Sequence, residues 1–428
     1  MSIHKGDVKA MCKFLIRKSR IMGATSVGGA KNALLPMLAA MCLNESESEI
    51  HNCPPIADTF ASIEILESIG CKVQFEGTTL KVDASAQLTC DIPDESVCKM
   101  RSSILFMGAM LGRAGKVNIA LPGGCKLGER AIDLHIYGLQ RMGAEINLVG
   151  DKLYCHAKEL TGAEIHLHTA SVGATENLML AATKARGMTV IRNAAKEPEI
   201  IDFANFLIGM GAKIEGAGTS TITISGVKTL YQMKPYRVMP DRIVAGTYLV
   251  AAAITGGMIT LHDISPSDLV PITKVLGEMG CKISSGKNCI TLAAPQRLKA
   301  LSNLRTEEHP GFPTDMQAQF VAALAVAEGT STVTETIFES RYAHALALND
   351  MGAMINLSSC KRIFTIHGRE MLHGKTVEAQ DLRGGAALVL AGLAAEGETV
   401  VLGAEYVQRG YVDIEKDLAK LGADIVLV

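Results

Sequence analysis

The sequence predicts an α/β protein of two domains, each built from three copies of one unit. Three observations predict it. A short phrase ending in glycine recurs six times, a small-residue apolar phrase alternates with it, and the composition is that of a large aliphatic core. The 428 residues suffice for two or three domains. At 48% hydrophobic, with 4% aromatic residues and no Trp, that core is built from Ala, Val, Ile, Leu and Met.

The first phrase reads "LESIGCKV" (66–73), "LQRMGAEI" (139–146), "LIGMGAKI" (207–214), "LGEMGCKI" (276–283), "LNDMGAMI" (349–356) and "LAKLGADI" (418–425). Its glycines, Gly70, Gly143, Gly211, Gly280, Gly352 and Gly422, recur every 68–73 residues. Each phrase predicts the last turn of a helix, a terminating glycine and a strand. The second phrase reads "LLPMLAAMCL", "ILFMGAMLGRAGKVNI", "LMLAATKARGMTVI", "YLVAAAITGGMITL", "FVAALAVAEGTSTV" and "LVLAGLAAEGETVV". A helix apolar on nearly every face is buried on every side.

Each unit of about 70 residues therefore holds two helices and several strands. Six units suggest two domains of three, with the apolar helices inside and the sheets and second helices around them. Three copies closing on an axis remove some sheet edges. A linear solenoid would need capping repeats, and the last copy shows none. Residues 12–30 form no complete unit, so the final unit is expected to borrow them. The expected domains are 1–30 with 240–428, and 31–239, with a cleft between them where ligand sites favour.

The net charge of −2, with no basic tract, argues against a nucleic-acid partner. The N-terminus lacks the apolar run of a secretory signal, and no apolar stretch is long enough to span a bilayer, so no membrane partner is expected. Eleven cysteines without a C-x-x-C point to a reducing cytoplasm and mostly to core fillers.

The polar insertions carry the chemistry. "GGAKNALLPMLAA" (28–40) places Lys31 and Asn32 at the start of an apolar helix, as an anion site or as a solvated lysine. "KMRSSILFMGAML" (99–111) opens with Arg101, which at a domain rim would simply snorkel. "LPGGCKLGER" (121–130) sets Cys125 among glycines near Lys126 and Arg130. Cations favour the thiolate, so this loop fits acid–base or covalent work on an anion, or holds an ordinary exposed thiol. No neighbouring residue gives it metal-ligand spacing. "HPGFPTDMQAQF" (309–320) places Asp315 before another apolar helix, as a cap or as a cleft carboxylate. Arg341, Arg383 and Arg409 fall at corresponding places of the repeat, and converging arginines suit phosphate or carboxylate substrates. There is no Walker A, dinucleotide fingerprint or zincin motif.

These stretches, with "SVGATEN" (171–177), "EPEIID" (197–202), "TETIFESR" (334–341), "DLRGGAALVLAG" (381–392) and "RGYVDIEKDLAKLGA" (409–423), resemble the UDP-N-acetylglucosamine enolpyruvyl transferases over nearly all of 11–428. The resemblance implies the enolpyruvyl transferase fold: two inside-out α/β barrels, each of three βαβαββ units. It implies transfer of the enolpyruvyl group of phosphoenolpyruvate to the 3′-hydroxyl of UDP-N-acetylglucosamine, with release of phosphate and no metal or organic cofactor. That is the first committed step of peptidoglycan synthesis, tied to cell wall, cell shape, cell division and the cell cycle in the cytoplasm.

Carried over position by position, Cys125 is the general acid at C3, which also forms a pyruvate adduct and is alkylated by the inhibitor fosfomycin. Asp315 takes the hydroxyl proton. Lys31, Arg101, Arg130 and Arg409 bind phosphate and carboxylate, with Lys31 and Arg409 also counted as catalytic. Asn32 and Ile337 contact the sugar, Ser171, Val172 and Gly173 the diphosphate, and Arg341 and Arg383 support the site. Gly28, Thr169, Val244, Gly384 and Gly385 depart from the family pattern. The alternatives are a shikimate 3-phosphate enolpyruvyl transferase and a non-catalytic nucleotide-sugar-binding paralogue.

Overall fold

The computed structural model describes residues 12–123 and 132–428. Its strands form six sheets, five of four strands and one of three. Every four-stranded sheet has one layout, a three-stranded antiparallel run with a further strand added in parallel at one edge. In the three-stranded sheet the parallel strand shrinks to a single bridge, Asp91 to Asn118.

The glycine phrase folds as its chemistry requires. All six glycines take a positive φ, between 92° and 105°. One residue on, the N–H of Cys71, Ala144, Ala212, Cys281, Ala353 and Ala423 donates back to Leu66, Leu139, Leu207, Leu276, Leu348 and Leu418, each at 3.0 Å. That is the bond of a helix closed by a left-handed glycine, and it turns the chain straight into the next strand.

The apolar phrases form the inner helices Lys31–Ala40, Leu105–Ala114, Val172–Ala182, Arg242–Ile254, Gln317–Ala325 and Leu382–Ala394, buried along nearly their whole length. The buried apolar side chains fall into two clusters. One runs from Ala30 to Val238, and the other joins Phe14–Val27 to Ile243–Ile425. The N-terminal strand Lys13–Arg17 lies between Glu398–Leu402 and Asp424–Leu427, and Met22–Ser26 runs parallel to Met258–His262. Tyr236–Arg237 adds instead to Glu47–His51.

The two passages between the clusters lie side by side. Gly29 bridges Pro240, the Ala30 N–H donates to Met239 at 2.7 Å, and the Asp241 N–H donates to Gly28 at 2.9 Å. Gly29 is required there, because a Cβ would stand 1.8 Å from the Asn52 carbonyl.

Small residues let the inner helices approach closely. A Cβ on Gly108 would lie 2.3 Å from both the carbonyl and the side-chain oxygen of Asn177 on the neighbouring inner helix. The Gly108 N–H donates to that side-chain oxygen at 2.7 Å. Gly108→Ala is therefore expected to destabilise the protein by about 1–3 kcal/mol, the usual cost of overpacking. A thermal melt checks this, and a melting temperature equal to wild type would mean that the two helices separate freely.

Candidate active site

The seam between the two clusters is lined by the N-terminal ends of inner helices. Lys31 is the first residue of its helix and is only 8% exposed, so the solvated-lysine reading does not hold. Its Nζ lies 2.8 Å from Oδ2 of Asp58, at the start of helix Ala57–Ser68. From the other cluster, Arg409 reaches the same carboxylate, Nε to Oδ1 at 2.9 Å and Nη2 to Oδ2 at 3.3 Å. Burial, with help from Arg383 and Arg409, holds the Lys31 pKa below its ordinary value against the pull of Asp58. Burial would raise the Asp58 carboxyl, but Lys31 and Arg409 more than offset it and leave it lowered.

Asp315 sits in the turn Thr314–Met316, whose N-cap is Pro313. Its Oδ1 accepts from Arg341 Nη1 and its Oδ2 from Arg383 Nη2, both at 3.1 Å. Both arginines are almost fully buried, and the half-buried Asp315 carboxylate lies between them. The caps are other aspartates. Asp241 Oδ1 accepts from the N–H groups of Ile243 and Val244, and its Oδ2 from the Lys31 N–H at 3.1 Å. Asp381 accepts from the N–H groups of Arg383 and Gly384.

Of the three arginines expected at corresponding places, Arg341 and Arg409 precede the outer helices Ala343–Asp350 and Ile414–Lys420, whereas Arg383 opens an inner helix. Ile337, 37% exposed, joins this group through its neighbour Glu335. Glu335 Oε1 accepts from the Ile337 N–H at 2.8 Å, and Oε2 from the Thr314 hydroxyl at 2.9 Å. Asn32 is half-buried beside Lys31.

A second group gathers around His135. Ser171 caps helix Val172–Ala182, accepting from the Ala174 N–H at 3.3 Å. Gly173 backs onto the imidazole, 3.4 Å from Cε1 as measured from where its Cβ would be. The Asn177 amide stands 2.9 Å from His135 Nδ1, and its oxygen already accepts from Gly108. The amide nitrogen is thus the donor, which places the proton of a neutral imidazole on Nε2. Burial, then Arg101, pushes the His135 pKa down to about 4. Arg101 is half-buried in the turn Arg101–Ile104, and no carboxylate pairs with it among the described residues. Cys125 and Arg130 lie outside the described residues.

Sequence reasoning missed Asp58, whose only signal is an acid at a helix start after "PPIA". It also missed the second ion pair between the clusters, Arg242 Nε to Glu199 Oε1 at 2.9 Å. Beside that pair lies Glu176, 5% exposed, whose Oε1 has no hydrogen-bond partner among the described residues. Burial first, then Glu199 and Glu197, raise its pKa well above the ordinary carboxyl value.

A carboxyl raised in the folded state stabilises fully below its unfolded pKa, and that stability is lost as pH rises through the folded value. Glu176→Gln removes the loss. The variant is expected to melt with wild type at about pH 4 and above it at about pH 8. Parallel melting curves for the two proteins across that range would show that Glu176 is ionised in the fold.

The repeated sheets and inner helices are those of the enolpyruvyl transferase fold. A family profile described as EPSP synthase (3-phosphoshikimate 1-carboxyvinyltransferase) matches residues 16–418. The crystal structure of the enolpyruvyl transferase NikO from Streptomyces tendae superposes with a TM-score of 0.87 at 26% identity, covering 98% of this chain and 99% of that one. EPSP synthase from Acinetobacter baumannii, at a TM-score of 0.74 and 18% identity over 97% of this chain and 100% of that one, shares the fold.

Two curated relatives narrow the class. UDP-N-acetylglucosamine 1-carboxyvinyltransferase 2 of Caldanaerobacter subterraneus subsp. tengcongensis (strain DSM 15242 / JCM 11007 / NBRC 100824 / MB4) is 51% identical, over 98% of this chain and 100% of its own. UDP-N-acetylglucosamine 1-carboxyvinyltransferase of Geotalea uraniireducens (strain Rf4) is 44% identical over the same shares. The chain belongs to the UDP-N-acetylglucosamine 1-carboxyvinyltransferase family.

Proposed function

We infer that this protein transfers the enolpyruvyl group of phosphoenolpyruvate to the 3′-hydroxyl of UDP-N-acetylglucosamine, releasing phosphate, as the first committed step of peptidoglycan synthesis in the cytoplasm. The observation that carries this reading is the seam itself, where Lys31, Arg341, Arg383 and Arg409 gather about two carboxylates. Phosphoenolpyruvate brings a phosphate and a carboxylate, and a fixed cationic clamp suits both. Identities of 44–51% to enzymes named for the nucleotide sugar, against 18% for EPSP synthase, favour it over the shikimate reading.

The reaction is addition followed by elimination. Cys125, on the loop 121–130, gives a proton to C3 of phosphoenolpyruvate, and C2 becomes electrophilic. The sugar hydroxyl bonds to C2 and yields its proton to Asp315. The tetrahedral ketal then loses a C3 proton and its C2–O bond to phosphate, which leaves as the anion. Lys31, Arg101, Arg130 and Arg409 hold the phosphate and carboxylate. Ser171, Val172 and Gly173, at a helix N-terminus, bind the diphosphate, while Asn32 and Ile337 face the sugar. Arg341 and Arg383 fix the Asp315 carboxylate. The working division is a domain of 1–30 with 240–428 and one of 31–239, closing on the substrates between them. No helix among the described residues is long and apolar enough to cross a membrane.

Phosphate release tests the reading. Release is expected with phosphoenolpyruvate plus UDP-N-acetylglucosamine and not with shikimate 3-phosphate. No release with the nucleotide sugar would leave only a binding paralogue. Cys125→Ala is expected to lower turnover by at least about a hundredfold, the usual share of a general acid, while nucleotide binding persists. It should also abolish the mass adducts of phosphoenolpyruvate and fosfomycin. Wild-type turnover in that variant would remove Cys125 from the mechanism.

A further inference from the structure

We propose that Tyr411 is a positioning residue for this transfer: its buried hydroxyl ties two inner helices together beneath Arg383 and fixes that guanidinium against Asp315. The proposal rests on the transferase reading above.

Tyr411 is 1% exposed, among the largest fully buried side chains, so it touches no substrate. Its hydroxyl lies 2.9 Å from Oγ1 of Thr247, on helix Arg242–Ile254. The Thr247 hydroxyl already donates to the Ile243 carbonyl at 2.8 Å. The phenol is therefore the donor to Thr247, and its oxygen keeps its lone pairs as acceptors. Gln319 Nε2, on helix Gln317–Ala325, donates to the Asp315 carbonyl at 3.0 Å and to the same Thr247 hydroxyl at 3.2 Å, with the phenol oxygen 3.4 Å away. The Arg383 guanidinium, from the third inner helix, lies 5.5 Å from the centre of the phenol ring.

Three supports of the Asp315 carboxylate thus meet at one phenol: the turn that carries it, through Gln319; the guanidinium that holds Oδ2; and the helix of Thr247. The charge on Arg383 reflects the same arrangement. Burial alone would lower its pKa, and Asp315, then Tyr411 and Asp241, leave it raised. The backbone around the phenol is equally constrained. A Cβ on Gly410 would stand 2.7 Å from Leu382, so the segment that carries Tyr411, and Arg409 before it, is pressed on the start of the Arg383 helix.

A phenylalanine would fill the same space and lose only the hydroxyl, so packing alone does not call for tyrosine. What the hydroxyl adds is the tie between the Thr247 helix and the Gln319 turn, on which the Arg383–Asp315 pair rests. Small displacements of a positioning group cost rate rather than binding.

Tyr411→Phe is expected to lower kcat by about tenfold or more, with KM for UDP-N-acetylglucosamine and the thermal melt close to wild type. Wild-type phosphate release is measured first, so failure of the transferase reading is seen separately. Adding Tyr411→Phe to Arg383→Lys is expected to lower kcat far less than it does alone, because both changes act through one guanidinium. An unchanged kcat in Tyr411→Phe, or full additivity with Arg383→Lys, overturns the proposal. If Tyr411→Phe does not fold, Thr247→Ala removes the acceptor and keeps the phenol. A reduced kcat at unchanged KM then supports the proposal, and wild-type kcat overturns it.

Discussion

The seam depends on one economy of charge: two of its carboxylates, Asp58 and Asp315, each serve two cations. Asp58 takes Lys31 and Arg409, and Asp315 takes Arg341 and Arg383. A lone buried lysine or arginine is costly, and removing one member of such a pair leaves an uncompensated charge. Sharing halves the number of acids needed and leaves the cluster rich in positive charge. It also joins the halves, because Asp58 and Arg409 belong to different cores. The Ala57 N–H donates to the Gln408 carbonyl beside them, so backbone and charge make the same connection. The electrostatics that would hold an anionic substrate and the contact that joins the two cores are thus partly the same bonds.

The repeat explains why these groups arrive together. Lys31 opens an inner helix, Arg383 is the second residue of another, Asp241 caps a third and Asp315 lies in the turn before a fourth. Four helix N-termini, one from the first core cluster and three from the second, are therefore turned to one place. Their macrodipoles add a fixed positive potential to the side chains, partly offset by the capping aspartates. Asp241 uses both of its oxygens at that junction, one for its own helix and one for the first N–H of the Lys31 helix. The passage between the cores is thereby stiffened where the site needs it. The repeated helices are a frame that any sequence of this pattern would build, and the chemistry is written in the few polar residues at their leading ends.

Much of this was legible in the sequence because it is local. A glycine forced to a positive φ after a leucine-containing turn leaves its mark within eight residues, and all six copies close their helices with the same bond. Inner helices announce themselves by lacking a polar face. Lys31, Asp315, Arg341, Arg383 and Arg409 stood out as charges interrupting that frame. What stayed hidden is long-range. Asp58 looks like an ordinary acid in a first helical turn until Arg409, 351 residues away, is folded against it. Tyr411 and Thr247 are 164 residues apart, and neither interrupts a pattern. The shrunken strand at Asp91 has no signature either, since one bridge needs no β-branched run.

At two of the positions that the sequence marks as departures, the backbone does the holding. Val244 contributes to the junction a backbone N–H bonded to Asp241 at 3.0 Å, which any residue but proline supplies. Its side chain packs half-buried against the C-terminal core. Gly384 bonds Asp381 through its N–H in the same way, and a Cβ there would stand 2.7 Å from the Asp381 Oδ2. The glycine relieves that crowding at the cap directly beside Arg383. Both positions keep the capping bonds in place, so the starts of the helices that carry Lys31 and Arg383 are held by Asp241 and Asp381.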